Sequence, residues 1–116
     1  MLDIQTEEIR PGLTVIKLDG KLTMGPDSAA LETLISGCLD TSTCRHLVFD
    51  LSGLKQIDST GIGRFISSYN KLMQLQGTLG MAAAGPVVRQ SFRVTRLDTV
   101  FKFYDTVEAA LKAVPA

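Results

Sequence analysis

The chain has 116 residues, enough for one domain with one core and too few for two. Apolar residues make up 45% and charged residues 21%, a globular composition, and twelve acidic against twelve basic residues leave no net charge, which argues against a nucleic-acid partner. Met1 to Glu8 has neither the basic start nor the apolar stretch of a secretory signal, and no apolar run nears the roughly 20 residues that cross a bilayer, so a cytoplasmic protein without membrane attachment is expected.

Residues 3 to 9 alternate loosely and are polar, as in an edge strand. Pro11-Gly12 marks a turn, after which Leu13, Val15, Ile16 and Leu18 predict a second strand ending at Asp19-Gly20, the two forming an antiparallel hairpin. Beyond Pro26, Asp27 or Ser28 is suited to cap a helix with an apolar face of Ala30, Leu31, Leu34, Ile35, Cys38 and Leu39, ended by Thr41-Ser42-Thr43. Cys38 and Cys44 form no Cys-x-x-Cys pair, and His46 is the lone histidine, so reduced thiols and no metal site are expected.

Leu47 to Phe49 with Leu51 reads as a strand buried on both faces. A helix follows, its apolar positions Ile62, Phe65, Ile66, Tyr69, Leu72 and Met73 recurring at intervals of three and four, with Gly77 as its stop. Between them lies Asp58-Ser59-Thr60-Gly61-Ile62-Gly63, whose short oxygen-bearing side chains suit the unpaired N–H groups of a helix start. Ser59 is therefore placed at the positive end of the helix dipole, where a phosphate is tolerated. Two glycines in one turn each cost about 1 kcal/mol against alanine, which makes sense where another backbone approaches a bare surface. Turn chemistry alone favours plain capping as the explanation of the same residues.

Thr78 to Ala84 reads as a strand of small residues, and Gly85-Pro86 turns the chain into a helix with Val87, Val88, Phe92, Val94 and Leu97 on its apolar side. Val100, Phe101 and Phe103 predict a final strand, and Thr106 caps a last helix through Val107, Ala110 and Leu111. Strands alternating with helices predict an α/β fold.

Catalytic signatures are missing. The glycines lack the dinucleotide and P-loop spacings, Ser59 is not in a Gly-x-Ser-x-Gly elbow, and His46, read as an exposed strand-edge residue, starts the strand whose far end leads to Ser59 and is too distant to be its base. Glu7-Glu8, and Asp98 with Asp105, read as solvated charges and caps. A non-enzymatic protein without cofactor is expected. The competing chemistry is a receiver-like phosphoacceptor at Asp50, which needs clustered acids for Mg²⁺ and finds only Asp19 at the preceding strand end.

Asp58-Ser59-Thr60-Gly61-Ile62-Gly63 resembles the phosphorylation motif Asp-Ser-Ser/Thr-Gly-Leu/Ile-Gly of the anti-sigma factor antagonists, single STAS domains of bacterial partner-switching circuits. Leu97 to Leu111 is similar to that family's closing strand and helix, and the resemblance covers nearly the whole chain. It implies one STAS-type domain over residues 1–116, with a mixed sheet of four to five strands and helices mainly on one face. It further implies a partner that is both anti-sigma factor and serine kinase, bound when Ser59 is bare and released when Ser59 is phosphorylated, with a phosphatase to reverse the switch. Asp58, Thr60, Gly61, Ile62, Gly63 and Arg64 are then the expected contact edge, joined by the loop around Gly20 to Met24, Thr23 included, because one helical turn is smaller than the roughly 800 Å² a partner usually covers. The chain departs from the family where many members carry Gly-Glu-Leu-Asp, having Gly20-Lys21-Leu22-Thr23 and neither acid. A STAS module that binds a protein or small ligand without a phosphorylation cycle is the alternative within the same resemblance.

Overall fold

Buried side chains of both parities in Leu13–Leu22 (β2) and His46–Ile57 (β3) identify the inner strands of a five-stranded sheet. In the computed structural model, which describes residues 2–41 and 44–115, Leu2–Arg10 (β1) pairs antiparallel with β2, while β3, Thr78–Ala82 (β4) and Lys102–Tyr104 (β5) follow in parallel, in the order β1-β2-β3-β4-β5. The parallel strands are linked through helices Pro26–Thr41 (α1), Ser59–Gln74 (α2) and Pro86–Val94 (α3), the last followed by a 3₁₀ turn at Leu97–Thr99; Val107–Lys112 (α4) closes the chain.

The three longer helices share one face. Leu31, Ile35 and Leu39 of α1, Ile62, Phe65 and Leu72 of α2, and Val88 and Phe92 of α3 pack on Ile16, Leu18, Leu47, Phe49, Leu51 and Met81. Phe49, Phe65, Phe92 and Phe101 run through this core in sequence, with neighbouring ring centroids 4.9, 5.8 and 5.5 Å apart. The other face carries only a small cluster, in which Ala110 of α4 packs with Leu13, Val15, Val48 and Ala82. This is the α/β fold that alternating strands and helices predict, with the mixed sheet and the helices mainly on one face that the STAS resemblance implies.

β2 and β3 both outrun their predicted ends, and this positions everything that follows. β4 accompanies β3 only as far as Asp50; from Gly53 to Ile57, β3 pairs with β2 alone, through Leu22. The open edge exposes Ser52, Lys55 and Gln56, which interrupt the apolar run, and Gly20 keeps β2 going by taking φ 113°, with register shifts on either side. Lys21 and Leu22 are thus strand residues opposite Gln56 and Ile57, where the sequence suggested a loop.

Other expectations are corrected locally. α1 begins at Pro26, so Asp27 and Ser28 lie within its first turn instead of capping it, and the Ser28 hydroxyl donates to the Gly25 carbonyl at 3.1 Å. Ser42 and Thr43 of the expected stop lie outside the described residues. Val87 and Val94 are 61% and 69% exposed, leaving Val88 and Phe92 as the buried side of α3, while buried Phe101 precedes β5. α2 stops at Gln74; Gln76 takes the left-handed φ of 59°, and Gly77 is required because a Cβ there would overlap the Arg45 carbonyl oxygen. His46 is half-buried on an inner strand and not at an exposed edge: its Nδ1 lies 2.7 Å from the Thr78 hydroxyl, and burial, then the Arg10 charge, hold its pKa below the ordinary value. Cys38 and Cys44 are both thiols, and burial first, then Cys38, pushes the Cys44 thiol up to about 11.

Candidate functional site at the start of α2

Asp58 ends the two-stranded ribbon and starts the helix. Its N–H donates to the Leu22 carbonyl at 3.2 Å, completing the β2–β3 pairing, and its backbone stays extended at φ −111°, ψ −175°. One carboxylate oxygen, Oδ1, then accepts from the Gly61 N–H at 2.9 Å as a helix cap, while Oδ2 accepts from the Met24 N–H at 2.9 Å. A single side chain thus ties the start of α2 to the loop between β2 and α1. These backbone donors, Gly61 first and Met24 next, hold the Asp58 carboxyl below the usual aspartate range.

Ser59 is the first residue of α2 and is exposed, beside a half-exposed Thr60. Its hydroxyl therefore stands at the positive end of a 16-residue helix, open to a visiting macromolecule. The two glycines of the turn have different reasons. A Cβ on Gly61 would come 2.5 Å from the Leu22 carbonyl oxygen and 2.8 Å from Ile57, so the backbone that approaches it belongs to its own chain, correcting the idea of a bare surface there. Gly63 is exposed with nothing within 4 Å of where its Cβ would lie. It alone of the pair leaves room for another molecule.

The remaining expected contact residues divide the same way. Ile62 is buried in the main core, so neither it nor Gly61 offers a side chain outward. Arg64 is half-buried and reaches across to pair with Glu32 of α1, so it is not a loose charge at the helix start. Thr23 is half-exposed in the loop that Asp58 holds, next to Met24, which is 78% exposed. Met24 is thus a bare apolar side chain next to the helix start, held there by a tie to Asp58 that spans 34 residues of sequence and that hydrophobic periodicity cannot reveal.

Asp50 is elsewhere. It lies within β3, seven residues short of the strand end, and faces a groove lined by Val107 and Leu111 of α4, on the opposite side of the sheet from α2. Its Oδ1 accepts from the Ser52 N–H at 3.1 Å. A receiver site needs its aspartate at a strand end among other acids, and this position overturns that reading. Among the described residues no three His, Cys, Asp or Glu side chains gather as a metal site, and no helix is long and apolar enough to cross a membrane.

Comparison with known proteins agrees with this architecture. The anti-sigma F factor antagonist of Paenibacillus polymyxa is 26% identical over 110 residues, spanning 95% of this chain and 92% of that protein. The crystal structure of an anti-sigma factor antagonist from Mycobacterium paratuberculosis superimposes with a TM-score of 0.85 at 30% identity, covering 98% of this chain and 94% of that one. The Bacillus cell fate determinant SpoIIAA, in its phosphorylated form, shares the fold with a TM-score of 0.77 at 21% identity over 95% of this chain and 97% of that one. Residues 4–110 match the STAS domain, and the chain belongs to the STAS domain family.

Proposed function

We propose that this protein is an anti-sigma factor antagonist: with Ser59 bare it binds an anti-sigma factor that is also a serine kinase, freeing a sigma factor, and phosphorylation of Ser59 ends that binding until a phosphatase reverses it. The observation that carries this reading is the exposed Ser59 hydroxyl at a helix start whose cap, Asp58, already fixes both adjoining segments. A phosphate there adds close to two negative charges beside the Asp58 carboxylate, changing the surface without touching the core. The contact surface is Ser59, Thr60 and Gly63 with Thr23 and Met24 of the neighbouring loop, and Arg64 and Asp58 hold it in shape.

The protein works as a switchable ligand and catalyses nothing itself in this scheme. The kinase transfers the terminal phosphoryl group of its ATP to the Ser59 oxygen and leaves ADP. Calorimetric titration of the anti-sigma factor encoded by the same genome tests this. Ser59→Ala is expected to bind as the parent does, and Ser59→Asp at least about tenfold more weakly, a difference of roughly 1.4 kcal/mol. The amide spectrum of Ser59→Asp should change only around residues 22–25 and 58–63; a change across the whole sheet would reject the surface mechanism.

Lys21 and Thr23, standing where many STAS antagonists carry acids, favour a second reading, a binding module with no phosphorylation cycle. Mass spectrometry of the protein from its native cells across growth conditions separates the two. Phosphate on Ser59 in any condition supports the switch, and its absence in all of them supports the plain module.

A further inference from the structure

Two sulfurs meet at the end of α1 remote from Ser59. Leu31, Ile35 and Cys38 follow one another along the buried side of α1, so the Cys38 side chain packs against the main core while staying half-exposed. Cys44, just before β3, is buried in that core. The two side chains hydrogen-bond to each other. Thr14 of β2 backs both: the Cys44 thiol lies 3.9 Å from the Thr14 hydroxyl, and Thr14 and Cys38 line one groove of about 250 Å³. The Cys44 thiol also lies 3.8 Å from the His46 carbonyl. Strands on one side and a helix on the other thus hold a pair of thiols together, outside any Cys-x-x-Cys motif.

The two thiols differ in access. The groove, walled by Thr6, Glu8, Thr14, Ile16 and Leu34, opens onto Cys38. Cys44 is 3% exposed, and its proton is held tightly, because burial first and then Cys38 pushes its pKa up to about 11. Thiolate is the reactive form of cysteine, so an oxidant arriving through the groove meets Cys38 first and Cys44 second. Glu8 is the charged residue of that groove, which disfavours an anionic oxidant and leaves a small neutral one, hydrogen peroxide.

We propose that Cys38 and Cys44 are a peroxide-responsive pair that closes a reversible disulfide between α1 and the start of β3. The Cys38 sulfur attacks one oxygen of hydrogen peroxide, the O–O bond breaks, and the other oxygen leaves as water with the thiol proton, so that Cys38 becomes a sulfenic acid. The Cys44 sulfur then attacks the Cys38 sulfur, the S–O bond breaks, and the hydroxyl leaves as water with the Cys44 proton. The two thiols lose two electrons, and the peroxide is reduced to two waters. A dithiol reductant reverses the change by exchange and is itself oxidised to a disulfide. α1 starts beside the loop that Asp58 holds, and Cys38 is twelve residues along it, about 18 Å by helical rise. Oxidation therefore leaves the Ser59 surface as it is.

Intact-mass spectrometry of the full chain tests the proposal. The reduced, desalted protein is treated with a small excess of hydrogen peroxide and then alkylated in denaturant. The expected product is a monomer lighter by two hydrogens that takes up no alkylating reagent, keeps its far-UV spectrum, and regains both alkylatable thiols after dithiothreitol. Cys38→Ser should slow modification on the order of tenfold or more, since the buried thiol is then the only target. Cys44→Ser should stop at a Cys38 sulfenic acid that dimedone traps, and Cys44→Ala gives the same readout if circular dichroism shows the serine variant unfolded. Ser59→Asp should oxidise as the parent does. No reaction with peroxide, a disulfide-linked dimer, oxygen added to sulfur in place of the loss of hydrogens, Cys38→Ser modified as fast as the parent, or loss of the folded spectrum on oxidation would each overturn it.

Discussion

Asp58 serves two donors with two oxygens, and that division of labour makes its ionised form specific. An asparagine caps a helix about as well as aspartate, yet its one carbonyl oxygen cannot accept from Gly61 and Met24 in the same places, because its amide end would turn N–H toward N–H. Asp58→Asn is therefore expected to keep the cap and release the loop, costing about 1 kcal/mol at neutral pH. The carboxyl is depressed below 3.8 in the folded protein, so above that ordinary value the contribution is fully present, and it is lost as pH falls through the folded value. Urea midpoints of parent and Asp58→Asn should thus differ at neutral pH and converge at acidic pH below both values. A gap that stays constant would assign the effect to something other than the charge. The sequence offers the oxygens of Asp58, Ser59 and Thr60 together as caps without choosing among them, and nothing local identifies Met24 as the second partner of Asp58, because that bond is made by the fold.

At the scale of the element, α2 and the ribbon that feeds it explain which parts of the site were legible. The apolar spacing from Phe65 to Leu72 announces α2, and Leu47 to Leu51 announces the part of β3 that lies between two strands. The last residues of β3 lose that signal once β4 ends, since a strand paired along one edge has polar positions that face water. The ribbon is consequently invisible to a search for buried runs, although it carries Ser59 at its tip. The same packing gives the two glycines opposite responses to one substitution. Gly61→Ala forces a methyl group to within 2.5 Å of the Leu22 carbonyl oxygen, and overpacking of this kind costs about 1–3 kcal/mol. Gly63→Ala meets nothing within 4 Å and should gain up to about 1 kcal/mol from helix propensity. Chemical denaturation of the two variants checks both signs. If the anti-sigma factor approaches Gly63 closely, Gly63→Ala will also bind it more weakly while being the more stable protein.

Across the whole molecule, the sheet divides stabilisation unequally between its faces. One side buries α1, α2 and α3 against a continuous core threaded by four phenylalanines, and Ser59 rides on that side. The other side is held by the six-residue α4, where only Ala110 is fully buried and where Gly80 of β4 lies just beneath it. Thr106 caps α4 by accepting from the Ala109 N–H at 3.0 Å, but a cap, one fully buried methyl group and the half-buried Val107 and Leu111 anchor less than the fully buried faces of the longer helices. Regions with few buried contacts open before the global transition. Native-state hydrogen exchange should therefore show the Ala110 and Ala113 amides exchanging through local opening of α4, at free energies a few kcal/mol below those governing Phe65 and Leu72 in α2. The helical amides beyond the first turn of α2 should keep their protection in Ser59→Asp, because the added charge stands on the rim of the larger core and displaces none of it. Equal exchange free energies in α4 and α2 would mean that both faces unfold as one unit, and a loss of protection through α2 in the Ser59 variant would mean that the signal travels through the core instead of across the surface.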